Sequence, residues 1–193
     1  MLDVHNLDIQ FGKDDKHVHA VKGISYHLSK GQKLGIVGES GSGKTVSGLA
    51  LLGLLPPTAT LSGEIIYQDQ NIITASDQQL RAIRGSEIAM IFQNPLASLN
   101  PVFSIANQMI ETIQIHHQVS KQEARDQAIA LLDRVKIENP SKRIDDYPHQ
   151  FSLGMCQRIM IAMTLSMKPK ILVADEPTES LDVTTQKEIL ELM

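Results

Sequence analysis

Three features of the sequence predict an α/β fold. A short apolar run, Leu34-Gly35-Ile36-Val37, enters a glycine-rich turn and then a helical stretch. Two further apolar runs, Ile88 to Phe92 and Ile171 to Ala174, are bounded by polar residues. A long span, residues 104 to 137, shows helical spacing and little strand character. Strand, loop and helix in that order form the repeating unit of a parallel sheet. Short apolar strands without alternation are those buried on both faces, which helices must cover. The expected architecture is one domain over residues 1–193: an α/β core, a small N-terminal antiparallel β subdomain before it, and an α-helical subdomain inserted at about 94–165.

Taken in order, Leu2, Val4 and Leu7-Ile9-Phe11 place apolar residues along an extended segment, which breaks at Gly12 and the charged run Lys13-Asp14-Asp15-Lys16. That predicts a strand and a turn. Ala20-Val21 and Ile24 to Leu28 predict a second strand pair, and Gly63 to Tyr67 a third element of the antiparallel region. Val46 to Leu55, ending at Pro56-Pro57, reads as the helix after the glycine-rich turn. Ser120-Lys121-Gln122-Glu123 is a capping-box pattern, after which Ala124, Ala128, Leu131, Leu132 and Val135 recur on one helical face. Thr185 to Met193 predicts a last helix, with Ile189, Leu190 and Met193 apolar.

Composition narrows the class. A formal net charge of −4 and a pI near 5.9 provide no broad cationic field, so no nucleic-acid partner is expected. Cys156 is the single cysteine, which rules out an intrachain disulfide and fits a reducing compartment. The N-terminus lacks the basic-then-apolar pattern of a secretory signal. The longest apolar stretch, Leu49 to Leu55, falls short of the roughly 18 residues that cross a bilayer, so membrane association is expected through a partner.

The chemistry lies in two places. Gly38-Glu39-Ser40-Gly41-Ser42-Gly43-Lys44-Thr45 matches G-x-x-x-x-G-K-[ST] between the predicted strand and helix, the context the motif requires. Its glycines let backbone N–H groups turn toward phosphate oxygens, with the following helix N-terminus aimed at the same anion. Lys44 is expected on the β- and γ-phosphates, and the Thr45 hydroxyl on Mg²⁺. The second place is Asp175-Glu176, delivered at the C-terminal end of the run Ile171 to Ala174, the edge where ligands gather in open α/β sheets. Asp175 is expected to hold Mg²⁺ through its water shell and Glu176 to polarise the attacking water. A solvated Asp-Glu turn is the competing explanation, and the phosphate loop upstream outweighs it.

A third motif makes the pattern specific. Phe151-Ser152-Leu153-Gly154-Met155-Cys156-Gln157-Arg158 resembles the LSGGQ-type signature of ABC ATPases. The segment after Gln93, Asn94-Pro95 and Ser98-Leu99-Asn100-Pro101, together with Tyr147-Pro148-His149-Gln150, is similar to the ATPases of oligopeptide, dipeptide and nickel importers. The resemblance implies a P-loop NTPase core of the ABC ATPase type and a role in hydrolysing ATP to drive uptake of peptides or a related small solute. It implies ATP and Mg²⁺ as ligands. Gln93 would be the glutamine that contacts Mg²⁺ and couples to the membrane subunits, and Phe11 the aromatic on adenine. Ser152, Gly154, Gln157 and Asp182 would meet a second subunit. The implied partners are integral-membrane permeases, a second ABC ATPase subunit in a homo- or heterodimer and, indirectly, a solute-binding protein. The implied location is peripheral, on the cytoplasmic face of the cell membrane.

Four departures from the family pattern stand out. Leu153 replaces a signature glycine, where a φ > 0 requirement would exclude it. Glu179 adds negative charge near a polyphosphate site. Cys156 puts a thiol at a helix start, where its pKa is expected to fall. Residues 177 to 193 contain none of the seven histidines, so the family's switch histidine is missing and the chain is expected to be a fragment, incomplete at its C-terminus. The alternative function is therefore a hydrolysis-deficient remnant that binds nucleotide without driving transport.

Overall fold

The structure, a computed structural model, describes residues 1–12 and 18–193. It comprises two compact units, Met1–Arg84 and Gly85–Met193. The turn expected at Lys13 to Lys16 lies outside the described residues.

The first unit is built on an antiparallel sheet of β1 (Leu2–Phe11), β2 (Val18–Leu28), β3 (Ala59–Tyr67) and β4 (Gln70–Asn71), in the order β2-β1-β3-β4. In β1 the buried residues are Leu2, Val4, Leu7 and Ile9. That alternation would fail with a regular pleat, because it would turn Asn6 and Asp8 inward. The register shifts between Val4 and Leu7, where Asn6 adopts a left-handed φ of 47°, and the extra residue returns Leu7 and Ile9 to the core face. β2 is one continuous strand and not the two pieces suggested by the break at Lys22-Gly23, since a register shift between Leu7 and Ile9 of β1 absorbs the irregularity.

The helix after the phosphate loop, α1 (Lys44–Ala50), is shorter than the predicted Val46 to Leu55. Beyond it the chain turns, with Leu54 N–H donating to the Leu49 carbonyl. Arg84 holds this turn, donating from Nε to Leu52 O and from Nη2 to Gly53 O, both at 2.7 Å. A 3₁₀ turn (Ile72–Thr74) and α2 (Asp77–Ile83), opened by a Ser76–Gln79 capping box, complete the unit.

The predicted strand Leu34 to Val37 is not a strand. Among the described residues it joins no ladder, and its side chains are exposed, Val37 at 94%. Apolarity favours an extended segment, but a strand exists only where its N–H and C=O groups find a neighbour.

In the second unit β5 (Ile88–Ile91) and β6 (Ile171–Ala174) pair in parallel, Ile88 with Ile171 through Ile91 with Ala174. β5 is buried throughout, as expected, but in β6 only Ile171 is, and Ala174 is exposed. Six helices follow in chain order: α3 (Pro95–Ser98), α4 (Ile105–His116), α5 (Lys121–Arg134), α6 (Pro140–Arg143), α7 (Leu153–Ser166) and α8 (Val183–Leu192). Ile105, Met109 and Ile113 of α4 share a core with Ala124, Ala128 and Leu132 of α5 and with Cys156, Ile159 and Met160 of α7. The fourfold spacing on α4 and α5 is that of a single helical face. The Ser120–Glu123 capping box forms, with Ser120 N–H on Glu123 and Glu123 N–H on the Ser120 hydroxyl.

Candidate functional site

In the first unit, Gly43 is the N-cap of α1 and sits at φ 93°. A side chain there would be strained and its Cβ would run into the Ala20 carbonyl oxygen, so the loop can pass close to β2 only with glycine. Lys44 and Thr45 thereby become the first two residues of α1, where the backbone N–H groups have no intrahelical acceptor. Glu39, Ser40, Gly41 and Ser42 are exposed. Lys44 folds back over its own loop, donating from Nζ to Gly38 O at 2.7 Å and to Glu39 O at 2.9 Å. These neutral carbonyls can be exchanged for anionic oxygens that bind an ammonium more strongly. A cavity of about 480 Å³ opens beside the loop, lined by Gly38, Gly41 to Lys44, and by His19 and Lys22 of β2. Phe11, at the end of β1 opposite Val18 and Ala59, is half-buried and does not line it.

In the second unit, parallel pairing brings the polar residues to one edge. Ile91 faces Ala174, so Gln93 and Glu176, each two residues further on, leave the sheet together. Asp175 extends the ladder by one bond, its N–H donating to Ile91 O at 3.0 Å. Glu176 is left-handed, with φ 48°, and bends the chain into a turn in which Glu179 N–H donates to Glu176 O. Gln93 donates from Nε2 to Glu176 Oε2 and to Glu179 Oε2, both at 2.9 Å. Carboxylates only accept, which sets the amide orientation and turns Oε1 of Gln93 away from them. Within the second unit, the amide oxygen of Gln93 and the carboxylate of Asp175 are oxygen donors of the kind that suits Mg²⁺. Among the described residues, no group of three His, Cys, Asp or Glu side chains converges on a metal position.

Ser152 is the N-cap of α7, its hydroxyl accepting from Met155 N–H at 3.3 Å. Leu153 is the first helical residue, is 48% exposed and is not among the positive-φ residues, so the backbone there does not demand the glycine it replaces. Gly154 is more confined, since a Cβ would lie 3.0 Å from Ser180 O, a tight contact. Gln157, expected to meet a second subunit, is turned inward. It is 1% exposed, donates to Pro177 O at 2.9 Å, and its Oε1 has no hydrogen-bond partner among the described residues. Cys156 is fully buried, with Sγ 3.4 Å from Pro148 O, and burial pushes its thiol pKa up. The expected lowering fails because desolvation outweighs the helix start. Asp182 caps α8, accepting from the Thr185 hydroxyl at 2.6 Å and Thr185 N–H at 3.1 Å, bonds that hold its carboxyl below the usual carboxylate value.

Two arrangements had no signal in the motifs. Arg143 braces the signature turn, donating to Gln150 O at 2.9 Å and lying 4.2 Å over the Phe151 ring. Glu179 shares Gln93 with Glu176, a pairing that depends on the turn after β6.

The profile of the ABC transporter family matches residues 21–179. The oligopeptide transport ATP-binding protein OppD of Bacillus subtilis is 45% identical over 195 residues, covering 100% of this chain and 54% of OppD. The dipeptide transport ATP-binding protein DppD of Escherichia coli is 45% identical over 194 residues, covering 100% of this chain and 59% of DppD. The chain thus spans a little over half the length of these curated relatives. Among solved structures, the ATP-binding cassette MJ0796, in a dimeric post-hydrolysis state bound to ADP and Pi, superposes with a TM-score of 0.89 at 27% identity, covering 100% of this chain and 81% of that one. The cbiO1 protein of Clostridium perfringens, part of the cbiONQ transporter complex, gives 0.74 at 30% identity, covering 99% and 71%. The chain belongs to the ABC transporter family, and its fold is that of the family's ATP-binding cassettes.

Proposed function

We propose that this chain is the ATP-binding and ATP-hydrolysing part of an importer subunit that energises uptake of peptides or a related small solute. The observation that carries the reading is the phosphate loop, in which left-handed Gly43 starts α1 and Lys44 turns back over the loop carbonyls. The similarity to OppD and DppD supports peptides as cargo.

In this reading Lys44 leaves the Gly38 and Glu39 carbonyls for the β- and γ-phosphates, and the loop from Gly38 to Gly43 wraps the same anion. Thr45, Gln93 and Asp175 would hold Mg²⁺, which when bound neutralises charge between the phosphates. Glu176 accepts the proton of the attacking water, and Gln93 orients the groups around it. Ser152 and Gly154 meet a nucleotide held by a second ATPase subunit, with Asp182 near the seam. Permease subunits are the membrane partners, and the chain works as a peripheral protein on the cytoplasmic face.

The test is binding of a fluorescent ATP analogue to the purified chain. Lys44→Ala is expected to weaken it by at least about tenfold, as loss of a charge-assisted contact implies. Equal binding by the two proteins overturns the reading. One observation favours a second reading, nucleotide binding without turnover: Oε2 of Glu176 accepts a hydrogen bond from Gln93. Binding without phosphate release above the Lys44→Ala background selects it.

A further inference from the structure

Glu179 has no role in the function proposed above, yet it reaches the same amide as Glu176. The left-handed bend at Glu176 and the turn bonds Glu179 N–H to Glu176 O and Leu181 N–H to Thr178 O bring its side chain back to the end of β5. There Gln93 Nε2 lies 2.9 Å from Glu176 Oε2 and 2.9 Å from Glu179 Oε2. A primary amide has two N–H donors, enough to serve one carboxylate each. Two carboxylates brought to one nitrogen repel each other, and each N–H offsets part of that repulsion for its own acceptor. Gln93 is exposed and lies beyond the last residue of β5, so few packing contacts fix its side chain.

We infer that Glu179 is a positioning residue for Gln93. It takes the second N–H, so the amide is held at two points and cannot swing about its terminal torsion, and the amide oxygen is kept facing away from both carboxylates. With Glu176 alone, one N–H would be unpaired and the amide free to rotate or flip. Glu179 therefore acts through Gln93, and its negative charge is not what the site uses. The inference rests on the reading that Gln93 serves the Mg²⁺ of a bound nucleotide.

The experiment uses the full chain with Glu179→Ala, Glu179→Gln and Gln93→Ala, alone and combined. In Glu179→Ala the Mg²⁺ concentration that half-saturates binding of the fluorescent ATP analogue is expected to rise roughly three- to tenfold, the worth of one hydrogen bond, while binding in EDTA is unchanged. Glu179→Gln keeps an acceptor oxygen and should stay close to the parent. Glu179→Ala should add nothing in the Gln93→Ala background. Equal losses in the Ala and Gln variants, or an undiminished effect without Gln93, overturn the inference. A second readout needs no nucleotide: the Gln93 side-chain amide resonances, assigned by their loss in Gln93→Ala, should move in Glu179→Ala part of the way toward the position of a free amide, since the bond to Glu176 remains. Unmoved resonances overturn the positioning role. Absence of nucleotide binding by the parent chain overturns the proposed function, and the amide resonances then decide the role of Glu179.

Discussion

Leu153 and Cys156 show how a residue's meaning depends on its surroundings. Leu153 stands at the first position of α7 with ordinary helical backbone and an exposed side chain. Leu153→Gly should therefore lower the stability of the second unit by no more than about 1 kcal/mol, the helix-propensity difference, read from urea denaturation. Gly154 is the tighter neighbour, because a Cβ there would lie 3.0 Å from the Ser180 carbonyl oxygen. Cys156 is buried with its thiol pKa raised. Iodoacetamide should label it at least about tenfold more slowly in the folded chain than in urea, since only the accessible thiolate reacts. Labelling at equal rates would mean that the α7 core is open.

At the scale of elements, helix starts in the second unit are held by side-chain caps, Ser152 on α7 and Asp182 on α8 among them. Ser152→Ala removes the hydroxyl that accepts from Met155 N–H and should cost about 1 kcal/mol of stability, seen as a lower urea midpoint with an unchanged slope. The cap of α8 is an ionisable group. Hydrogen bonds from Thr185 hold the Asp182 carboxyl below its ordinary value of 3.8. With the folded pKa below the unfolded one, the contribution is complete above the unfolded value and is lost as pH falls through the folded one. Asp182→Asn retains a capping oxygen without that titration, so its thermal midpoint should fall less steeply than the parent's below about pH 4. Parallel slopes would assign the acid sensitivity elsewhere, the Asp145 carboxyl held low by Arg125 being the first alternative.

At the scale of the whole chain, each unit has its own buried centre, yet Leu34 to Val37 belongs to neither sheet. Amide exchange should separate these regions: β5 and β6 protected, residues 34–37 exchanging at rates near those of an unstructured peptide. Protection at 34–37 equal to that of β5 would show that the run has found a strand partner. The net charge of −4 belongs to this scale as well, since it provides no broad cationic field to hold a polyanion.

Local rules were enough wherever the interaction is short in sequence. The phosphate loop, the Ser120–Glu123 box and the run Ile171 to Ala174 were legible because glycine conformation, capping and apolar periodicity act over a few residues. The family was legible for the same reason, its motifs being short and ordered. Tertiary structure alone decided what depends on partners distant in the chain. Leu34 to Val37 reads as a strand by composition, but a ladder needs a neighbour that composition does not supply. Cys156 reads as an activated thiol by position, but burial under Pro148 reverses the direction of its pKa. Gln93 and Glu179 lie 86 residues apart, and only the parallel register of β5 and β6 brings them to one edge. Side-chain chemistry is written in the sequence, whereas which groups exclude water and which meet is set by packing.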